Sequence, residues 1–122
     1  MANVKESLEK IMQSEGAVGA CVVDSSSGMM LGSIGGGAGL NIEIAAAGNT
    51  EVVRAKRKTM RSLNLNDQIE DILITLGKQY HIIRLCASND ALFIYVVLDK
   101  TRSNLAMARI QLGEIEKNMQ IA

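Results

Sequence analysis

Apolar residues recur at helical spacing near both ends of this 122-residue chain. Asn3 and Glu6 have the spacing of a capping box at a helix start. Apolar residues then follow every three or four positions, and Gly16 is a suitable residue to end the helix. The same spacing returns from about Ser103 to Met119. A helix is therefore predicted at each end. The two stripes are Val4, Leu8, Ile11 and Met12, and Leu105, Ala108, Leu112, Ile115 and Met119.

Five other segments are rich in apolar residues and bounded by turn signals, which predicts strands. They are Ala17 to Asp24, Met29 to Ile34, Gln68 to Leu76, Tyr80 to Ala87 and Ala91 to Leu98. The connections within the first pair and within the last three are short, which implies antiparallel hairpins. Alternation along Gln68 to Leu76 would put Ile69 and Ile72 on opposite faces of the sheet.

A long segment from about Leu40 to Leu63 has helical periodicity on two sides. The side expected to face the core consists of Ile42, Ala45, Ala46, Val52, Val53, Met60 and Leu63. The opposite side carries mostly small residues, namely Leu40, Ile44, Ala47, Gly48 and Ala55. Small residues permit close helix–helix approach, so this side predicts burial against another subunit. A helix break at Gly48–Asn49 is the competing interpretation, because glycine within a helix costs about 1 kcal/mol relative to alanine.

The predicted order is helix–strand–strand–helix–strand–strand–strand–helix, which defines an α/β chain of the α+β sandwich kind. Its length fits a single domain spanning residues 1–122. Strands that are apolar throughout need cover on both faces. Two helices are expected on one face of a five-stranded antiparallel sheet, and the long helix on the other.

Composition narrows the classes of function. With 13 basic and 13 acidic residues, the chain has no overall field to attract nucleic acid or an anionic membrane. Three aromatic residues and no proline give neither a base-stacking platform nor a polyproline ligand. No segment has the roughly 18 apolar residues of a membrane span. A soluble, cytoplasmic, self-associating domain is expected, with no nucleic-acid partner and no membrane insertion.

The sequence contains no convincing catalytic or cofactor-binding constellation, and we expect neither an enzyme nor a cofactor. Gly35 to Gly39 lacks the Lys-Ser/Thr of a P-loop and the spacing of a dinucleotide fingerprint, which favours a flexible connection over an anion site. His81 stands alone in a strand, where a structural role is commoner than a catalytic one. Cys21 and Cys86 lie in apolar runs and are expected to be buried thiols in a reducing compartment.

Five positive charges within eight residues of the long helix form the most asymmetric feature of the chain. Four of them, Arg54, Arg57, Lys58 and Arg61, fall on one stripe beside the small-residue side. A solvated helix face near a C-terminus, where cations favour the helix dipole, is the simplest interpretation. Docking of an acidic partner is the functional alternative, and nucleic acid is the weakest of the three because the charge elsewhere does not reinforce it.

Four segments carry local signatures in addition to the element order. They are the strand Ala17 to Gly28, the helix segment Ile42 to Ala55, the strands Gln68 to Cys86, and Val97 to Leu112, which contains Asn104, Leu105 and Arg109 in an Asn-Leu-x-x-x-Arg pattern at a helix start. With these signatures the sequence resembles the Roadblock/LC7 family over essentially the whole chain, and the Asn-Leu-x-x-x-Arg helix start matches that of the family. The resemblance implies a profilin- or longin-like sandwich.

The same resemblance implies a homodimer in which the edge strand after the long helix pairs with its symmetry mate and the long helices pack side by side. Interface residues would then be Leu40, Ile44, Ala47, Gly48, Ala55, Ile69, Asp71 and Ile72. It further implies a non-catalytic regulator or scaffold of a Ras-like small GTPase, with Arg54, Arg57, Lys58 and Arg61 as polar contacts. A small-molecule or anion sensor and a structural light-chain-type assembly subunit remain the alternatives.

Overall fold

The computed structural model of the protein describes residues 2–36 and 40–120. Eight elements follow one another in the predicted order, which is confirmed. They are α1 (Val4–Ile11), β1 (Ala17–Asp24), β2 (Met29–Gly35), α2 (Ile42–Ser62), β3 (Asp71–Thr75), β4 (Gln79–Leu85), β5 (Leu92–Asp99) and α3 (Leu105–Asn118).

An asparagine caps the N-terminus of each of these three helices. The side chain of Asn3 accepts from the backbone N–H of Glu6 at 2.8 Å, and the Glu6 carboxylate accepts from the N–H of Asn3 at 3.2 Å, so the predicted capping box is confirmed. Asn41 and Asn104 accept backbone N–H groups in the first turns of α2 and α3. Each cap satisfies donors that have no partner within the helix, which fixes where the helix begins.

The five strands form one antiparallel sheet in the order β2-β1-β5-β4-β3. Strand β5 lies at the centre and is buried from Leu92 to Leu98. Its side chains alternate between two apolar clusters, with Ile94 and Val96 on the α1 and α3 side and Phe93 and Tyr95 on the α2 side. The five-stranded sandwich with helices on both faces is therefore confirmed.

Helix α2 runs without a break through Gly48, so the alternative of a broken helix is wrong. Its core-facing side differs in part from the predicted one. Ala46 and Val53 are buried as expected, but Val52 is 37% exposed and Leu63 is 62% exposed. Thr50 is buried instead, and its hydroxyl donates to the Ala46 carbonyl at 2.8 Å, so burial does not leave this donor unpaired.

Strand β3 is shorter than the predicted segment from Gln68 to Leu76. Only Asp71–Thr75 pairs as a strand with β4, although the Glu70 carbonyl still accepts from the Leu85 N–H. Ile69 lies before the strand and packs against the same α2-side cluster as Ile72. The prediction that these two isoleucines lie on opposite faces is therefore wrong, because alternation does not extend upstream of the strand.

Candidate interaction surface

The outer face of α2 is an open surface of small and apolar residues. Ile44 is 69% exposed, Ala47 and Ala55 are exposed, and a Cβ added at Gly48 would meet nothing within 4 Å. Leu40 does not share this surface, because it is partly buried and packs against the α2-side cluster. Its prediction as an outward-facing member of the small-residue side is wrong, since Leu40 precedes the cap of the helix and turns towards the core.

Strand β3 forms one edge of the sheet and is tied to α3 by an ion pair. Two nitrogens of the Arg109 guanidinium donate to the Asp71 carboxylate, Nε at 3.0 Å and Nη2 at 2.9 Å. The Asp71 side chain is only 12% exposed, whereas that of Arg109 is 46% exposed. Asp71 therefore already has a partner within the chain, on the α3 side of the sheet.

The α2 side of the sheet is unevenly covered. Helix α2 packs over β1 and β2, at the opposite end of the sheet from β3. On the same face, Ile72, Ile74 and His81 remain half-buried. These side chains adjoin the open edge of β3. A second element laid beside α2 would cover them.

Within residues 2–36 and 40–120, the basic stripe of α2 contains two cations that bind backbone carbonyl groups and two whose side chains make no such contact. Arg54 donates to the carbonyls of Ser25 and Ser26 at 2.8 and 3.1 Å and also pairs with Glu51. Arg57 donates to the carbonyl of Asp90. These two guanidinium groups tie α2 to the β1–β2 and β4–β5 turns.

Lys58 and Arg61 are exposed, and neither side chain makes a hydrogen bond or ion pair within residues 2–36 and 40–120. They are the members of the stripe whose charge is not used by the fold. An acidic partner approaching α2 would therefore meet these two cations first.

His81 belongs to a short chain of polar side chains that joins β4 to β5 on the α2 side of the sheet. Its Nε2–H donates to the Gln79 side chain at 2.9 Å, and its Nδ1 accepts from the Tyr95 hydroxyl at 3.1 Å. Burial lowers the pKa of His81 and raises that of Tyr95, while polar contact with the Asn49 side chain of α2 lowers the Tyr95 pKa. Both ring nitrogens of the neutral imidazole are satisfied. These contacts support the structural interpretation of His81.

Both thiols lack the environment of a reactive cysteine. Cys21 and Cys86 are free and buried, and burial raises the pKa of each to about 12, so almost none of either is thiolate at neutral pH. The prediction of buried thiols is confirmed. Among the described residues no group of three or more His, Cys, Asp or Glu could hold a metal ion.

The glycine-rich connection is described only in part, since Gly37, Ala38 and Gly39 lie outside the described residues. Gly35 and Gly36 have φ values of 68° and 86°, in the left-handed region. A Cβ at Gly35 would lie 2.5 Å from the Val18 carbonyl oxygen. A close approach of two strands therefore explains this glycine without a bound anion.

The sequence did not predict the ion pair between Arg84 and Glu116, nor that between Arg109 and Asp71. The Arg84 guanidinium donates to the Glu116 carboxylate at 3.1 Å, and the second oxygen of that carboxylate accepts from the Ala87 N–H at 3.2 Å. The Glu116 side chain is 3% exposed. Its position four residues after the buried Leu112, on the core side of α3, is the sequence signal that could have revealed it.

No protein-family model and no curated protein matches the sequence. Solved structures do match. MglB of Myxococcus xanthus superposes with a TM-score of 0.80 at 13% identity, over 93% of this chain and 88% of that one. A Roadblock/LC7 domain from Streptomyces avermitilis gives 0.79 at 9% identity, over 95% and 93% of the two chains. A structure described as MglB with a tetrameric arrangement gives 0.81 at 14% identity, over 93% and 82%.

The element order, the single antiparallel sheet and these superpositions define a small α+β sandwich. Its fold is the Roadblock/LC7 fold, and the resemblance predicted from the sequence is confirmed at that level. Across residues 2–36 and 40–120, none of the helices combines the length and apolar character that a bilayer crossing requires.

Proposed function

We propose that the protein is a non-catalytic, homodimeric regulator or scaffold that binds a Ras-like small GTPase. One observation carries the proposal: on a Roadblock/LC7 fold, α2 presents an exposed small-residue face and covers only β1 and β2, which leaves the half-buried side chains beside the open β3 edge uncovered on the same side of the sheet. The exposed small-residue face of α2 is broad and apolar, as large exposed apolar patches are at protein–protein interfaces.

In the proposed dimer, α2 packs against its symmetry mate through Ile44, Ala47, Gly48 and Ala55. The β3 strands pair at their open edges, and the partner's α2 covers Ile72 together with the neighbouring Ile69. Asp71 contributes indirectly, by holding β3 against Arg109 of α3. Leu40 has a supporting role at the base of α2 rather than a contact role, because it packs inward.

Gly48→Glu tests the dimer. The substitution places a charge in the α2 contact, and it should raise the dimer dissociation constant by more than about tenfold because an unpaired charge would be buried. Met107→Glu is the matched control, since Met107 is 51% exposed on α3, on the other face of the sheet. Sedimentation velocity distinguishes the two, and a wild-type protein that stays monomeric, or a Gly48→Glu variant that dimerises normally, contradicts the proposal.

The proposed partner contacts the basic stripe. Lys58 and Arg61 are available to an acidic surface, whereas Arg54 and Arg57 position the helix and the two turns on which the partner would rest. Reversing the charge of Lys58 or Arg61 should therefore weaken binding without changing the free energy of unfolding. Substituting Arg54 or Arg57 should affect both quantities.

Binding is measured against the Ras-like GTPases encoded in the same genome, each loaded in turn with a non-hydrolysable GTP analogue and with GDP. Single-turnover hydrolysis with GTP then reports whether the protein accelerates, slows or leaves unchanged the GTPase reaction. Lys78→Glu, in the exposed β3–β4 turn, is the control for Lys58→Glu and Arg61→Glu. No complex with any of these GTPases, or equal binding by all four proteins, would count against the proposal.

A further inference from the structure

The sheet has a second open edge, β2, and a groove runs along it beneath α1. The groove has a volume of about 710 Å³ and an apolar floor formed by Val4, Leu8, Leu31 and Ile34. Leu31 is 45% exposed, and Met29 at the start of the strand is 68% exposed. The outward-pointing backbone groups of an edge strand lack a ladder partner, which makes this edge able to accept another strand.

Two opposite charges stand on the outer side of the groove. Lys5 and Glu9 both line it and are both exposed on α1. Within the described residues, neither makes an ion pair within 4.0 Å. Lysine placed four residues before glutamate is also the less favourable orientation for pairing along a helix. The two charges are therefore available to a partner.

Helix α1 and strand β2 are aligned so that their midpoints nearly coincide. A Cβ added at Gly32, the middle residue of β2, would lie 2.9 Å from Val4 and 3.3 Å from Leu8. Near the other end of the pair, a Cβ at Gly35 would lie 3.0 Å from Met12. The helix thus runs alongside the strand, and the point midway between Lys5 and Glu9 lies close to the middle of β2.

A two-fold axis through that point would let β2 pair with the β2 of a second copy and would also bring opposite charges of the two copies together. Antiparallel pairing of β2 with a copy of itself, centred near Gly32, would set the two α1 helices side by side in opposite directions. Lys5 of each copy would then face Glu9 of the other. Helix α1 also packs on β1, inward of the edge, which leaves room for the separation of about 8–10 Å that packed helices require.

From this self-complementarity we infer that the α1/β2 edge is an interface between two copies of this chain. The axis differs from the one proposed at β3, so use of both edges extends the assembly beyond a dimer. A β-bulge opposite Val22 and Val23 leaves Leu31 as the additional residue of β2. That side chain lies in the groove, where the partner's α1 would cover it.

A charge exchange tests the interface. Lys5→Glu and Glu9→Lys each replace two attractions across the axis with two repulsions, and each should raise the dissociation constant on the order of tenfold. The double variant Lys5→Glu/Glu9→Lys restores opposite charges across the axis and should recover wild-type association. Lys10→Glu is the control, because Lys10 lies on the side of α1 that faces α3.

All variants are compared by sedimentation velocity over a range of protein concentrations, in an Ala47→Glu background that removes the proposed α2 contact. Circular dichroism and thermal melting establish that each variant is folded. Wild-type charges should give a dimer in this background that weakens with added salt. A monomer at every concentration, single reversals without effect, or a double variant that fails to recover would each overturn the inference, whatever the outcome at β3.

Discussion

Arg109 of α3 and Asp71 of β3 are 38 residues apart in sequence and share two hydrogen bonds of 2.9 and 3.0 Å. The pair anchors the last helix to β3, which is one of the two edge strands of the sheet and has a single neighbouring strand. Because a planar guanidinium donates to both carboxylate oxygens, the two hydrogen bonds fix both the distance and the relative orientation of the two groups. It therefore holds β3 in a fixed position at the edge where the proposed dimer forms.

Arg109→Lys should lower the free energy of unfolding by about 1 kcal/mol, because an ammonium group cannot reproduce the two-point contact. Urea denaturation at low protein concentration measures the difference. Arg102→Lys is the control, since its pair with Asp99 joins side chains that are 64% and 34% exposed. That pair is expected to contribute almost nothing, and equal losses in the two variants would contradict the assigned role of Arg109.

Glu116→Ala should lower the free energy of unfolding by roughly 3–5 kcal/mol, which would place it among the most destabilising substitutions on this side of the sheet. The reason is that it leaves the mostly buried Arg84 guanidinium and the Ala87 N–H without their acceptor. The double variant Arg84→Met/Glu116→Leu should recover much of that loss, since no charge is then left unpaired. Chemical denaturation of the single and double variants gives both values. A double variant no more stable than Glu116→Ala would contradict this account.

Gly48→Ala should stabilise the monomer by up to about 1 kcal/mol, because the helix continues through this position and the added methyl group meets nothing. Gly19→Ala should have the opposite effect, since its Cβ would lie 2.8 Å from the backbone nitrogen of Gly36. Thermal and urea unfolding compare the two. A destabilised Gly48→Ala monomer would indicate that α2 is strained at this residue.

Lowering the pH through the histidine range should destabilise the fold through His81. Its folded-state pKa lies below the ordinary value of 6.5, so the unfolded chain takes up a proton before the native protein does. The free energy of unfolding should therefore fall as the pH drops below about 6.5, until the folded-state pKa is reached. In His81→Gln this dependence should disappear.

The carboxyl groups of Asp24 and Asp99 titrate in a separate and lower pH range than His81. Hydrogen bonds from the Ser26 hydroxyl and N–H lower the pKa of Asp24, and the corresponding groups of Thr101 lower that of Asp99. Their titration lies below the ordinary value of 3.8 and does not overlap the histidine range. A pH dependence between 5 and 7 that persists in His81→Gln would contradict the assignment to His81.

Much of the fold could be predicted from the sequence because its strongest signals are local. The bounds of β1 agree with the predicted segment, and Asn3 with Glu6 correctly marks the start of α1. The burial of individual residues of α2 was harder to predict, because a helical wheel assumes that the whole helix lies over the sheet. Leu63 follows the last residue of α2 and is exposed, so its apolar character alone did not determine its burial.

The candidate surface was less predictable than the fold. Its small-residue face could be found on α2, because Ala47, Gly48 and Ala55 follow the helical period. The sequence could not predict which cations of the basic stripe bind within the fold, because the carbonyl groups that Arg54 and Arg57 bind belong to turns remote in sequence. The same holds for Lys5 and Glu9, whose significance depends on how α1 lies along β2.

The two buried thiols lie in different halves of the sandwich, Cys21 in the cluster beneath α2 and Cys86 in the cluster beneath α1 and α3. The protein therefore carries a natural reporter in each layer. Because a thiol reagent modifies only cysteines that become accessible, the labelling rate of each thiol measures the opening of its own layer. Ligands or copies that bind along α2 should selectively slow the modification of Cys21. Those that bind along α1 should selectively slow the modification of Cys86. Alkylation of the native protein would therefore report which face of the sandwich is occupied.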